Sequence, residues 1–171
     1  MKCVRLVLVP MLLCINAVAV AEDLPREPTL PLSLASKAAA AAVEKCKQDG
    51  YRVSASVVDG AGVLKTLLRG DGAGPHTTDS SSKKAYTAAS LRRPTSELAE
   101  LINKMPTLQA LREMNDRILI LGGGLPIEIG GEVIGGIGVG GAPGTQLDDA
   151  CAQAGLDSIG AAPKFKLPTG K

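Results

Sequence analysis

The chain places 11 of its 20 glycines between Gly122 and Gly144, centred on the run GGEVIGGIGVGG from Gly130 to Gly141. Valine and isoleucine alternate with glycine there, a period of two that a β-strand displays as two unlike faces. With Glu132 to Gly140 as the strand, Val133, Ile137 and Val139 share one face, and Gly136, Gly138 and Gly140 share the other. A mid-strand glycine forfeits roughly 0.5–1 kcal/mol and packs nothing, so a bare face of this kind predicts that something approaches the backbone closely. A helix, a partner subunit or a flat ligand would each fit. Gly130-Gly131 suits a two-residue hairpin turn, which makes the run one arm of an antiparallel pair. The earlier run GGGLP, Gly122 to Pro126, lacks the spacing and the lysine of a phosphate-binding loop, and no dinucleotide fingerprint opens a helix after it.

The first residues read as an address and not as part of the fold. Lys2 and Arg5 precede an apolar stretch from Leu6 to Ile15 and small residues through Ala21, the pattern of a secretory signal peptide covering residues 1–21. The stretch is too short to span a membrane comfortably, so no integral segment is expected once the signal is removed. Leu13 is a poor match to the small residue that a lipid-attachment site would require before Cys14. The expected location is the periplasm or the exterior. Loss of Lys2 and Arg5 with the signal leaves 17 basic and 17 acidic residues, so the excess positive charge belongs to the signal and nucleic acid is not an expected partner. The absence of tryptophan and the single phenylalanine, Phe165, also argue against a base-stacking surface.

The remaining chain, about 150 residues, suffices for one domain whose core must be built from Ala, Val, Ile and Leu. Pro25, Pro28 and Pro31 mark residues 22–32 as an extended arm. Ser33 is placed to cap a helix from Leu34 to Asp49 with a narrow stripe of Ala35, Ala38, Ala39, Ala42 and Cys46. Strands over Val53 to Val58 and Val63 to Arg69 flank the turn Asp59-Gly60-Ala61-Gly62, where Asp59 is better explained by turn formation than by acid catalysis. Gly70 to Ser82 reads as a flexible polar loop carrying His76, the only histidine. A helix from Ser82 to Leu91, capped by Ser80 or Ser81, stops at Arg92-Arg93-Pro94, and shorter helices are expected over Ser96 to Lys104 and Leu108 to Met114.

Ile118 to Leu121 and Leu125 to Ile129 are candidate strands before the glycine strand. Thr145 with Asp148 has the spacing of a capping box, Asp149 adds a second acid to that first turn, and Leu147, Ala150, Cys151 and Ala154 mark one face of the last helix. The order predicts an α+β domain over residues 33–160, a mostly antiparallel five-stranded sheet flanked by helices, with 161–171 as a C-terminal tail. Cys46 and Cys151 both fall on apolar helix faces, and two readings stay open for them: buried thiols or a helix-to-helix disulfide.

Four segments resemble the GlcG/HbpS-like (DUF336) family: VVDGAGVLKTLLRGDGAGPHT from Val57, SKKAYTAASLRRPT from Ser82, GGLPIEIGGEVIGGIGVGGAPG from Gly123, and DDACAQAGLDSI from Asp148. The resemblance covers Leu32 to Ile159 and implies a sheet flanked by helices, often assembled as a homo-oligomer. Family members include secreted haem-binding proteins, glycolate-operon proteins and corrinoid-binding domains. An exported, unfused chain most resembles the haem-binding branch, so the implied cofactor is haem, with a corrinoid as the lesser choice. Members of these branches can use a metal-ligating histidine near the first helix, and that helix here has none.

The resemblance therefore turns attention to His76, whose imidazole is a good ligand for haem iron, with Thr77 beside it and the Tyr86 phenol as a lesser ligand candidate. Lys83, Lys84, Arg92 and Arg93 are candidates to meet haem propionates, because arginine pairs well with carboxylates. Each of these charges has the plainer reading of a solvated surface group. Glu128 and Glu132 sit at a hairpin tip, and no serine, cysteine or acid pair completes a catalytic constellation. The chain reads as a binding protein rather than an enzyme. Two rivals remain: a non-catalytic accessory protein joining its own copies or a periplasmic partner, and a small-metabolite enzyme or carrier of the glycolate-operon type.

Overall fold

The computed structural model describes residues 27–161, so the signal segment and the tail beyond Ala161 lie outside the described residues. Four strands, β1 (Ser54–Asp59), β2 (Leu64–Arg69), β3 (Gly124–Ile129) and β4 (Glu132–Gly140), form one sheet in the order β2-β1-β4-β3. Every neighbouring pair is antiparallel. Helices α1 (Leu32–Gln48) and α4 (Thr145–Ser158) cover one face, α2 (His76–Leu91) covers the other, and α3 (Thr95–Lys104) with a 3-10 segment, Pro106–Arg112, lies at the side.

The bare face of β4 is filled by α2. A Cβ at Gly136 would lie 2.3 Å from the Ala85 carbonyl oxygen, and one at Gly138 would lie 2.1 Å from that of Ser81. Helix backbone thus rests directly on strand backbone. The small polar residues of β1 complete this layer: Ser54 Oγ meets Thr77 Oγ1 at 2.7 Å and Ser56 Oγ meets Ser81 Oγ at 2.8 Å. On the opposite face Val57, Leu125, Ile137 and Val139 pack with Ala35, Ala38, Ala39 and Ala42 of α1 and with Ala152 and Leu156 of α4.

Cys46 and Cys151 are joined in a disulfide with Cα atoms 5.6 Å apart, which ties α1 to α4. A shift of register between Ile127 and Glu128 leaves Ile134 without a partner and reverses the alternation at the start of β4. Ile134, not Val133, therefore joins Ile137 and Val139 in the core.

The structure corrects several expectations. The sheet has four strands and not five, because Ile118 to Leu121 finds no strand partner. Its backbone donors go elsewhere: Ile118 N–H to Asn115 O, Leu121 N–H to Leu119 O, and Leu119 N–H to the Thr87 hydroxyl of α2. Ile118 and Ile120 still bury, against Leu98 and Ile102.

Helix α2 begins at His76, six residues before the expected start, so the whole second half of the polar segment is helical. Its hydroxyls bond to β1 or back to the previous turn, as Thr78 and Ser82 do to Pro75 O and Thr78 O. Pro75 precedes the first turn, where its missing N–H costs nothing. Pro31 and Gly144 occupy the N-caps of α1 and α4, so neither Ser33 nor Thr145 caps by its side chain. Asp59 behaves as the turn residue expected, accepting from Ala61 N–H and Val63 N–H.

Candidate functional site

The first turns of α2 and α4 open onto one cleft of about 310 Å³, bordered by His76, Ser80, Lys84, Leu121, Thr145 and Asp148 and by the loop 140–144. Two helix N-termini therefore border the same space, and each contributes partial positive charge. His76 is exposed, and its ring lies where a side chain on Gly74 would stand: a Cβ there would be 2.6 Å from the His76 Cε1. Arg69 holds the loop leading to this point by donating from Nε and Nη2 to the Ala73 carbonyl.

The floor of the cleft is a buried ion pair that links three elements. Lys84 is only 2% exposed, and its Nζ donates to Asp148 Oδ2 at 2.8 Å and to the Val139 carbonyl at 2.9 Å. Asp148 Oδ1 accepts from Ala142 N–H at 3.0 Å, and Asp149 Oδ1 accepts from Gly123 N–H at 2.6 Å. Burial pushes both carboxyls above the ordinary aspartate range. For Asp148 the charge and hydrogen bond of Lys84 oppose that rise, and for Asp149 the Gly123 N–H does so first.

Spacing alone assigns Asp148 and Asp149 to helix capping, and the family resemblance offers Lys84 to haem propionates. The structure instead turns all three inward. The signal was present in the spacing: Thr77, Ser81, Lys84 and Ala88 form one stripe of α2, and that stripe is buried. Gly123 and Gly124 explain how the cluster fits, since a Cβ at Gly123 would lie 2.9 Å from the Lys84 Nζ and one at Gly124 would lie 2.5 Å from the Lys84 carbonyl oxygen.

The remaining candidates separate along α2. Thr77 is buried beside His76, its hydroxyl bonded to Ser54 and to the Gly74 carbonyl. Lys83 pairs with Asp79 at 3.4 Å. Tyr86 lies about 15 Å along the helix from His76 at 1.5 Å per residue, with the Arg117 guanidinium 3.8 Å from its ring centroid. Arg92 and Arg93 follow the far end of α2, about 24 Å away by the same rise. Arg92 adopts the left-handed conformation with φ 52 and borders a separate cleft of about 390 Å³ with Glu27 and Glu132. Of the seven site candidates, then, His76 and Lys84 line the cleft and Thr77 is buried beside His76, while Lys83, Tyr86, Arg92 and Arg93 do not line it.

The chemistry of the donor set suits one class of metal group. No cluster of three or more His, Cys, Asp or Glu able to hold a metal ion occurs among the described residues. Haem iron needs only one imidazole from the chain, and His76 is its one histidine. The cleft volume stands at the low end of the range of about 300–1,000 Å³ for small-molecule sites, so it matches an edge of a tetrapyrrole and not the whole macrocycle. No helix among the described residues is long and apolar enough to cross a membrane.

Comparison with known proteins agrees with this architecture. The family described as "Haem degrading protein HbpS-like" matches residues 30–157. A crystal structure of a double mutant of Streptomyces reticuli HbpS shares 43% identity, with TM-score 0.76 over 82% of this chain and 94% of that one. The crystal structure of a PduOC:heme complex shares 27% identity, with TM-score 0.72 over 79% of this chain and 98% of that one. An uncharacterized 15.0 kDa protein from the dhaT-dhaS intergenic region of Citrobacter freundii is 38% identical over 130 residues, 75% of this chain and 91% of its own length. With its four-stranded antiparallel sheet, its helices on both faces and these matches, the chain belongs to the HbpS-like family.

Proposed function

We propose that this chain is an exported homo-oligomeric protein that binds haem, with His76 as a ligand of the iron. Membership of the HbpS-like family and the haem complex of a relative support the cofactor. The single observation that carries the site is the exposed His76 imidazole, set against Gly74 at the mouth of a cleft between two helix N-termini. Haem bound there would supply redox-active iron. The protein's own part is to present the imidazole, to favour anionic edges by the helix ends, and to keep the cleft floor rigid through the Lys84–Asp148 pair. Export is supported by the signal pattern in residues 1–21.

Titration of haemin into the chain lacking residues 1–21 tests the proposal. A saturable shift of the Soret band is expected, and His76→Ala should weaken binding at least tenfold and change the ligand-field spectrum. Arg93→Ala, at the distant end of α2, should leave both unchanged. Absence of a saturable shift would remove haem from the account, and an unchanged shift in His76→Ala would remove the histidine.

A second reading, an accessory protein that joins copies or a partner, is favoured by one feature. The edge strand β2 and its preceding turn expose Val63, Leu64 and Leu68 at 59%, 49% and 38%. Haemin titration separates the possibilities, since the accessory reading predicts no saturable Soret shift, whether or not the chain is a multimer in light scattering.

A further inference from the structure

On the α1 side of the sheet a third cleft of about 240 Å³ is bordered by Val43, Lys47, Tyr51, Arg52, Val53 and Asp71. Its floor is the wall of the main core, because Val53 belongs to that core and Val43 and Tyr51 pack against it. Its rim is charged. Neither Lys47 nor Arg52 has a side-chain hydrogen bond or ion pair among the described residues, and Asp71 has none either. Two cations against one carboxylate leave an excess of one positive charge facing the cleft.

The position of Arg52 is constrained by the chain around it. A Cβ at Gly72, which has φ +74, would lie 2.9 Å from the Arg52 Cδ and 3.4 Å from its Nη1, so the arginine stem and head lie across the Gly72 backbone. A Cβ at Gly70 would lie 2.9 Å from the Val53 carbonyl oxygen, and the Gly70 N–H donates to that oxygen at 2.9 Å. The carbonyls at the end of α1 are already used: Lys45 and Lys47 accept from Asp49 and Gly50, and Cys46 accepts from Tyr51. These bonds fix the cleft wall and leave the two cationic side chains as its uncommitted polar groups, with Asp71 available to a ligand hydroxyl.

We infer that this cleft binds a small organic monocarboxylate with an apolar body. The apolar floor excludes a bare inorganic anion as the best occupant, the net positive rim excludes an amine, and the volume falls below that of drug-sized sites. An arginine fork suits a carboxylate in two-point geometry, and Lys47 adds a second point charge. The site is separate from the His76 cleft and does not depend on haem binding.

Benzoate is the probe, with acetate and benzyl alcohol supplying the carboxylate alone and the apolar body alone. Titrations of the oxidised chain lacking residues 1–21, followed by amide shifts in ¹H–¹⁵N spectra, should show saturable benzoate binding centred on Tyr51 to Val53 and Gly70 to Asp71. Acetate and benzyl alcohol should bind at least tenfold more weakly. Arg52→Ala should weaken benzoate at least tenfold, and Arg52→Lys less; unperturbed shifts elsewhere in the spectrum report that the variants are folded. Haemin titration of Arg52→Ala should match that of the parent chain. No saturable benzoate response, equal binding of either control, or full binding in both Arg52→Ala and Lys47→Ala would overturn the inference.

Discussion

Gly138 and the Lys84–Asp148 pair show how single positions set the interior of this protein. A methyl group at Gly138 would meet the Ser81 carbonyl oxygen at 2.1 Å, and neither a strand nor a helix backbone can yield that much locally. Gly138→Ala is therefore expected to cost about 3 kcal/mol or more as overpacking. Gly131→Ala, in open space at φ +87, should cost only the conformational term of about 1 kcal/mol; urea denaturation of the two variants makes the comparison. Asp148→Ala strands a buried ammonium and removes the acceptor of Ala142 N–H, so a loss of about 3–5 kcal/mol is expected. Combining Lys84→Met with Asp148→Asn should cost less than the two single changes together, which a double-mutant cycle measures. The glycine alternation made the bare face legible, but the charge pair was not, because its partners stand 64 residues apart.

Elements were legible where one face is apolar and illegible where the buried face is polar. The stripe of α1 is buried as its spacing predicted. The first half of α2 was missed because Thr77 and Ser81 resemble loop residues until β1 supplies Ser54 and Ser56 opposite them. Ile118 to Leu121 has strand composition, but its N–H groups go to Asn115, Leu119 and the Thr87 hydroxyl and not to a neighbouring strand. The link between α1 and α4 carries its own prediction. The Cys46–Cys151 bond closes a separation of 105 residues, and in the chain-entropy account a loop of that size contributes about 4–5 kcal/mol through the unfolded state. Denaturation with and without reductant should show a loss of about 2–5 kcal/mol. Cys46→Ala paired with Cys151→Ala should show it without reductant.

For the molecule as a whole, the two raised carboxyls give stability a defined response to pH. Asp148 and Asp149 titrate higher in the folded chain than in the unfolded one, so the fold binds protons that the unfolded chain has released. Their contribution is fully present below the unfolded value of about 3.9 and is lost as pH rises through the higher folded values. Asp149→Asn keeps an acceptor for Gly123 N–H and should flatten this part of the profile, raising the Tm at neutral pH relative to the parent; scanning calorimetry from pH 4 to 8 checks the sign. The sequence by itself determined the α+β class, the antiparallel hairpin at Gly130-Gly131, the alanine stripe of α1 and the family, because these depend on local periodicity, turn chemistry and extended motifs. Only the tertiary structure decided that α2 fills the glycine face, that Cys46 meets Cys151, and that Lys84, Asp148 and Asp149 face inward. Those outcomes depend on which distant backbones come within bonding distance, and burial then reverses the preference of charged and hydroxyl side chains for water.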